Sequence, residues 1–233
     1  VVVMKRNALE PEIQDLPRVI PIFPLNGALL LPGGRLPLNI FEDRYLNMIQ
    51  DVLSMKYRVF GMIQTMDHPQ PAANDTGLNT SPLHRVGCLG RLSSFEETSD
   101  GRNLISLDGL IRFRVLQELE MKNGYRRVEV SYDGYDLDTE ATDPEIERDR
   151  LVNALRGFFN IKGFTADWNV IERCESERLV TTLSMICPLS FADKQALLEA
   201  TSTTDRAMIL STLLEMQISG HELNGDGDNN VFH

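Results

Sequence analysis

The feature that most constrains this chain is a change of period near its middle. From about residue 19 to residue 135, apolar residues recur with the two-residue spacing and turn punctuation of strands. From 143 to 218 they recur at the three-to-four spacing of helices. The join, residues 133–147, is a run of carboxylates that includes Asp133, Asp136, Asp138, Glu140 and Asp143. Like charges repel and stay solvated, so the run reads as a boundary. The expected organisation is a β-rich subdomain over 18–135 and a helical subdomain over 143–218, with flexible termini at 1–17 and 219–233.

Within the first half, residues 19–24 are β-prone but interrupted by Pro21 and Pro24, which places that strand at an edge or bulge. A second short strand follows at 36–41. Residues 43–55 then switch to helical spacing, with Tyr45, Leu46, Met48, Ile49, Val52, Leu53 and Met55 on one broad apolar face. Further strands are expected at 58–65, 85–95, 103–116 and 128–132. Residues 67–81 form a polar loop, and Asn123-Gly124 is a hairpin turn. Ile111, Phe113 and Val115 alternate with Arg112 and Arg114, as in a half-buried strand. About six strands with one inserted helix suggest a small closed or partly closed barrel.

In the second half, Asp143-Pro144 reads as the start of a helix carrying Leu151, Leu155, Phe158 and Phe159, ended by Gly163. Short helices are expected over 167–174 and 177–186. Ser190 and Asp193 form a capping pair for the next helix, whose inner face is Ala196, Leu197 and Leu198. Thr203 or Thr204 caps the last helix.

The chain has 233 residues and a net charge of −11, which opposes binding to phosphate backbones. Three scattered cysteines (Cys88, Cys174, Cys187) do not make a disulfide framework, and a reducing cytoplasm is the expected setting. No window has the apolar length of a membrane span. No glycine is followed by lysine, so there is no Walker A segment; no G-x-S-x-G elbow and no C-x-x-C occur. His221-Glu222 begins like a zinc-protease helix, but Gly225 stands where the second histidine is needed. His84 and Cys88, with His68, lack a fourth zinc ligand, and Asn224, Asp226 and Asp228 lack the closing glutamate of a calcium loop. Neither a metal, a cofactor nor a catalytic constellation is expected.

The order of several segments carries a resemblance. Ile22-Phe23-Pro24-Leu25, Leu31-Pro32-Gly33, Leu36-Pro37-Leu38 and Ile40-Phe41-Glu42-x-Arg44-Tyr45 resemble the opening of the N-terminal, substrate-recognising domain of Lon-type ATP-dependent proteases. Phe60-Gly61-Met62, Val86-Gly87 and Gly109-x-x-Arg112-Phe113-Arg114-Val115 resemble later strands of that family, and Lys194-Gln195-Ala196-Leu197-Leu198-Glu199-Ala200 with Asp205-Arg206 resembles its helical tail. The resemblance implies an α+β fold, a PUA-like six-stranded pseudo-barrel with an inserted helix, followed by a C-terminal α-helical bundle. It also implies engagement of unfolded or damaged polypeptide, or an adaptor role beside an ATP-dependent protease. In full-length Lon proteases an ATPase and a peptidase follow this domain; the sequence in hand stops before either, so a non-catalytic binding module is expected. PUA-like barrels elsewhere bind RNA, which is the alternative reading.

The candidate partner-binding residues are Phe41, Glu42, Arg44, Tyr45, Arg112 and Arg114. Each has a plainer reading. Glu42 suits a helix N-terminus, Tyr45 can pack, and alternating arginines suit a solvated sheet face. Nine methionines offer adaptable surface if exposed, but Met48, Met55 and Met62 lie at core spacing.

Overall fold

In the computed structural model, residues 12–66, 81–140 and 144–225 are described, with side chains through residue 220. The chain divides into two compact units, Val1–Thr142 and Asp143–His233. The expected loop at 67–81 therefore lies almost wholly outside the described residues, as do His68, Asp143, Asp226 and Asp228.

The first unit is built from β1 (Val19–Pro24), β2 (Arg35–Ile40), α1 (Asp43–Leu53), β3 (Val59–Ile63), β4 (Val86–Glu97), β5 (Asn103–Lys122) and β6 (Tyr125–Ser131). The sheet order is β2-β5-β4-β3-β1-β6, and β6 also pairs with β5, which closes a five-stranded barrel and leaves β2 as an appended strand. The β1–β3 pair is parallel; the others are antiparallel. Closure depends on the length of β5. Its first part, residues 103–108, lies between β2 and β4, and its last part, from Arg114, pairs with β6. The strand runs to Lys122, beyond the expected end at 116, because Asn123 and Gly124 both take positive φ (50° and 86°) and turn it straight into β6.

Alternation then fills the barrel. Ile20, Ile22, Phe60, Leu89, Ile111, Phe113 and Val128 are fully buried. Burying one such side chain contributes roughly 1.5–3 kcal/mol. Gly109 lets another segment approach: a Cβ there would stand 2.0 Å from the Leu31 carbonyl oxygen. Helix α1 supplies Tyr45, Met48, Ile49 and Val52 to the core, so Met48 and Met62 are core filling rather than adaptable surface. The other side of α1 is tied to the β5–β6 turn: Asp51 accepts hydrogen bonds from Tyr125 Oη (2.6 Å) and Asn123 Nδ2 (3.3 Å) and meets Lys122 Nζ at 3.1 Å.

The barrel unit extends past both expected limits. A 3-10 turn at Ile13–Asp15 precedes β1, and Tyr132 Oη donates to Pro17 O at 2.7 Å, so residues 12–17 are held rather than loose. A second 3-10 turn, Asp136–Thr139, packs on β5. The acidic run therefore begins inside the barrel unit.

The second unit contains α2 (Arg148–Lys162), α3 (Trp168–Arg173), α4 (Ser176–Ile186), α5 (Phe191–Glu199) and α6 (Thr203–Gly225). Helix α2 starts at Arg148, not at Pro144, and ends at Gly163 in the left-handed conformation (φ 68°). Asp167 caps α3, and Ser190 with Asp193 forms a complete capping box on α5. Ser202, rather than Thr203 or Thr204, caps α6: its hydroxyl accepts from Asp205 N–H at 3.0 Å. Ala196 faces out, while Lys194 and Gln195 are buried. Lys194 Nζ donates to Met185 O near the end of α4, and Arg206 Nε donates to Leu197 O near the end of α5. Buried cations thus satisfy carbonyls that a helix end leaves open. Among the described residues no helix is long and apolar enough to cross a membrane.

Candidate functional site

The six residues singled out in the sequence fall in two places. Phe41, Glu42, Arg44 and Tyr45 sit where β2 runs into α1. Glu42 occupies the N-cap position but makes no side-chain cap; its Oε2 accepts from Arg44 Nη2 at 2.6 Å and Nε at 2.9 Å. The Arg44 guanidinium lies 4.8 Å over the Tyr45 ring. Tyr45 is buried, with its ring 4.1 Å from that of Phe23. It is therefore a core residue and not part of a partner-facing surface. Phe41 is the opposite case, 64% exposed.

Arg112 and Arg114 lie farther back on β5 and do not share one exposed face. Arg114 is exposed. Arg112 is buried, which corrects the expectation of a solvated charged face. The reason is a gap in pairing. On that edge of β5, β2 ends opposite Asp108 and β6 begins opposite Arg114. The Asp138 carboxylate fills the gap: it accepts the Arg112 backbone N–H at 2.9 Å and the guanidinium through Nε (2.9 Å) and Nη2 (2.8 Å). Both side chains are almost fully buried, at 5% and 7% exposure. Tyr135 adds its ring 4.8 Å below the guanidinium. Asp138 had looked like one more solvated acid in a like-charged run. Nothing in local spacing pairs it with Arg112.

The open surface of this unit lies at the start of β5. There β2, residues 103–108 of β5 and the end of β4 form a three-stranded extension of the barrel. Strand β3 pairs with β4 only at residues 88–91, and residues 93–97 of β4 are all exposed. One face of the extension holds a shallow depression of about 460 Å³ walled by Pro37, Asn39, Ser94, Glu96, Leu104 and Ser106. Exposed apolar side chains stand on or beside it: Leu104, Phe95 and Phe41. At the rim, Arg35 pairs with Asp108 (2.7 Å) and Arg102 with Asp100 (3.0 Å). The sequence pointed to Phe41 here but missed Phe95, Glu96 and Leu104. Their signal is the failure of alternation at Ser93-Ser94-Phe95-Glu96-Glu97, a strand end with no buried face.

Among the described residues no three His, Cys, Asp or Glu side chains are grouped to hold a metal ion. Cys88 is buried, and His84 lies outside any strand. Cys187 is buried, and burial pushes its thiol up to about 11, the reverse of an activated nucleophile.

The comparisons with known proteins fit this picture. The family model of the ATP-dependent protease La (LON) substrate-binding domain matches residues 19–216. The chain belongs to that family. Lon N-terminal domains are among the solved structures it resembles. A Lon N-terminal domain protein from Xanthomonas campestris superposes with a TM-score of 0.56 at 25% identity, over 86% of this chain and 97% of that one. The N-terminal domain of Mycobacterium avium complex Lon protease gives 0.55 at 14% identity, over 84% and 98%, a likeness of fold alone. Among full-length relatives, Lon protease of Syntrophus aciditrophicus is 25% identical over 92% of this chain and Lon protease of Heliobacterium modesticaldum 24% over 91%. This chain spans about a quarter of their length, 27% and 26%. As a Lon substrate-binding family member it is α+β, with a six-stranded sheet and six α-helices among the described residues, and the match runs through both of its compact units.

Proposed function

We propose that this chain is a non-catalytic polypeptide-binding module that presents unfolded or damaged segments for proteolysis, as an adaptor beside an ATP-dependent protease. The single observation that carries the reading is the family match over residues 19–216 to a substrate-binding domain. The surface chemistry supports it. An exposed three-stranded extension with Phe95 and Leu104 on it and Phe41 just past the end of β2 offers apolar contact, and its β4 flank offers backbone hydrogen-bonding groups to an extended chain. The chain's charge of −11 favours polypeptide over nucleic acid.

The test is binding of the purified protein to an array of unfolded peptides, with an RNA pool alongside, at two salt concentrations. Salt-tolerant retention of apolar peptides is the expected result. Retention of RNA that falls steeply with salt, with no peptide bound, would replace this reading with the nucleic-acid one.

A further inference from the structure

We propose that the outer edge of β4 at residues 93–97 takes up one extended polypeptide segment as an added strand, and that the preferred segment carries two adjacent basic residues next to an apolar one. This rests on the polypeptide-binding reading and names the substrate chemistry for it.

The phase of the edge is fixed by one hydrogen bond. Thr98 N–H donates to Arg102 O at 2.9 Å across the β4–β5 turn. With a two-residue period, Ser94 and Glu96 then direct their backbone groups to β5, and Phe95 and Glu97 direct theirs outward. No strand covers that flank among the described residues, since β3 pairs with β4 only at 88–91. The outward N–H and C=O groups are the template that strand addition uses.

The other flank of the extension is closed by the same logic. Gly109 N–H donates to Gly34 O at 2.8 Å, so Leu36 and Leu38 bond to β5 and Pro37 faces outward. Proline has no N–H, and its place on the outer edge blocks a strand there. The extension thus has one blocked edge and one usable edge.

Charge selects the occupant. The other acids of this extension are paired, Asp108 with Arg35 and Asp100 with Arg102. No ion pair reaches Glu96 or Glu97 among the described residues. Their cross-strand neighbours on β5, Leu104 and Asn103, are neutral. On an added strand, consecutive residues would lie opposite Glu97, Glu96 and the exposed ring of Phe95. That order calls for basic, basic, apolar, read in either direction.

The experiment is fluorescence anisotropy with labelled ten-residue peptides that differ only in a central Phe-Lys-Arg, Phe-Ser-Ser or Phe-Glu-Asp. They are titrated with the wild-type protein, with a double variant Glu96→Lys/Glu97→Lys, and with Phe95→Pro, which removes an outward N–H. Wild type is expected to prefer Phe-Lys-Arg over Phe-Ser-Ser by roughly tenfold. The double variant should reverse the order in favour of Phe-Glu-Asp. Phe95→Pro should weaken every peptide, with an unchanged circular dichroism spectrum. Equal binding of all three peptides by wild type and double variant overturns the edge site while leaving polypeptide binding in place. No binding of any peptide by wild type overturns both.

Discussion

The start and the middle of β5 do opposite things with the same backbone. Around Arg112, a missing strand is replaced by a buried carboxylate from outside the sheet, which satisfies both the main chain and the guanidinium. Around residues 103–108, the sheet continues outward into a flap whose flanks end in water. A buried gap must be filled, because an unpaired polar group there costs the full desolvation penalty. An exposed edge costs little, because water does the pairing. The lesson is that sites tolerant of substitution and sites open to partners should coincide on the flap, while the Arg112 end should tolerate almost nothing.

The largest expected effect breaks the buried end. Asp138→Ala removes the carboxylate that meets both the buried Arg112 guanidinium and its backbone N–H and should cost about 3–5 kcal/mol, read as a loss of unfolding free energy in urea. A double variant, Arg112→Met with Asp138→Leu, should recover most of that loss, because neither charge of the buried pair remains. Next, Gly109→Ala drives a methyl into the Leu31 carbonyl and should cost about 1–3 kcal/mol, again in urea titration. Beyond the Arg112 end, Tyr125→Phe removes the hydroxyl that donates to Asp51 and should cost about 1 kcal/mol.

The same cluster sets a pH dependence. Hydrogen bonding from Tyr125, followed by Lys122, holds the Asp51 carboxyl below the ordinary carboxylate value. Its stabilising effect is complete above that ordinary value, about 3.9, and is lost as pH falls through the lower folded-state value. Tyr125→Phe should therefore flatten the acid limb of stability measured between neutral pH and pH 2. The smallest effect sharpens the comparison from the flap side. Leu104→Ser should change stability by less than about 0.5 kcal/mol in urea, yet weaken apolar peptide binding if the flap is the contact surface.

How much of this was legible in the sequence follows from which interactions are local. The change of period, the strands, the Asn123-Gly124 turn, the α5 capping box and the Gly163 stop were all readable, because each is set by neighbours a few residues away. Arg112 and Asp138 were misread because they stand 26 positions apart, and each looked solvated in its own window. Tyr45 stood both on the apolar face of its helix and among the partner-binding candidates, and what places it in the core is its contact with Phe23 on β1, 22 positions away in sequence. The start of α2 was placed at Pro144 because a proline after aspartate is a strong local signal, yet hydrogen bonding begins only at Arg148. The open edge of β4 was invisible because an edge is a property of pairing, and β4 has the same residues whether or not β3 runs its full length.

The β5–β6 hairpin turns on two residues, whereas closure by β1 brings together chain as distant as Pro17 and Tyr132, 115 positions apart. Local turns form in microseconds, and long loops close only after their entropy has been offset. The order of folding is thereby written into the topology: hairpin early, barrel seam last. A chain from which β1 is displaced would leave β3 and β6 as open edges, of the same kind as the one that β4 keeps at 93–97.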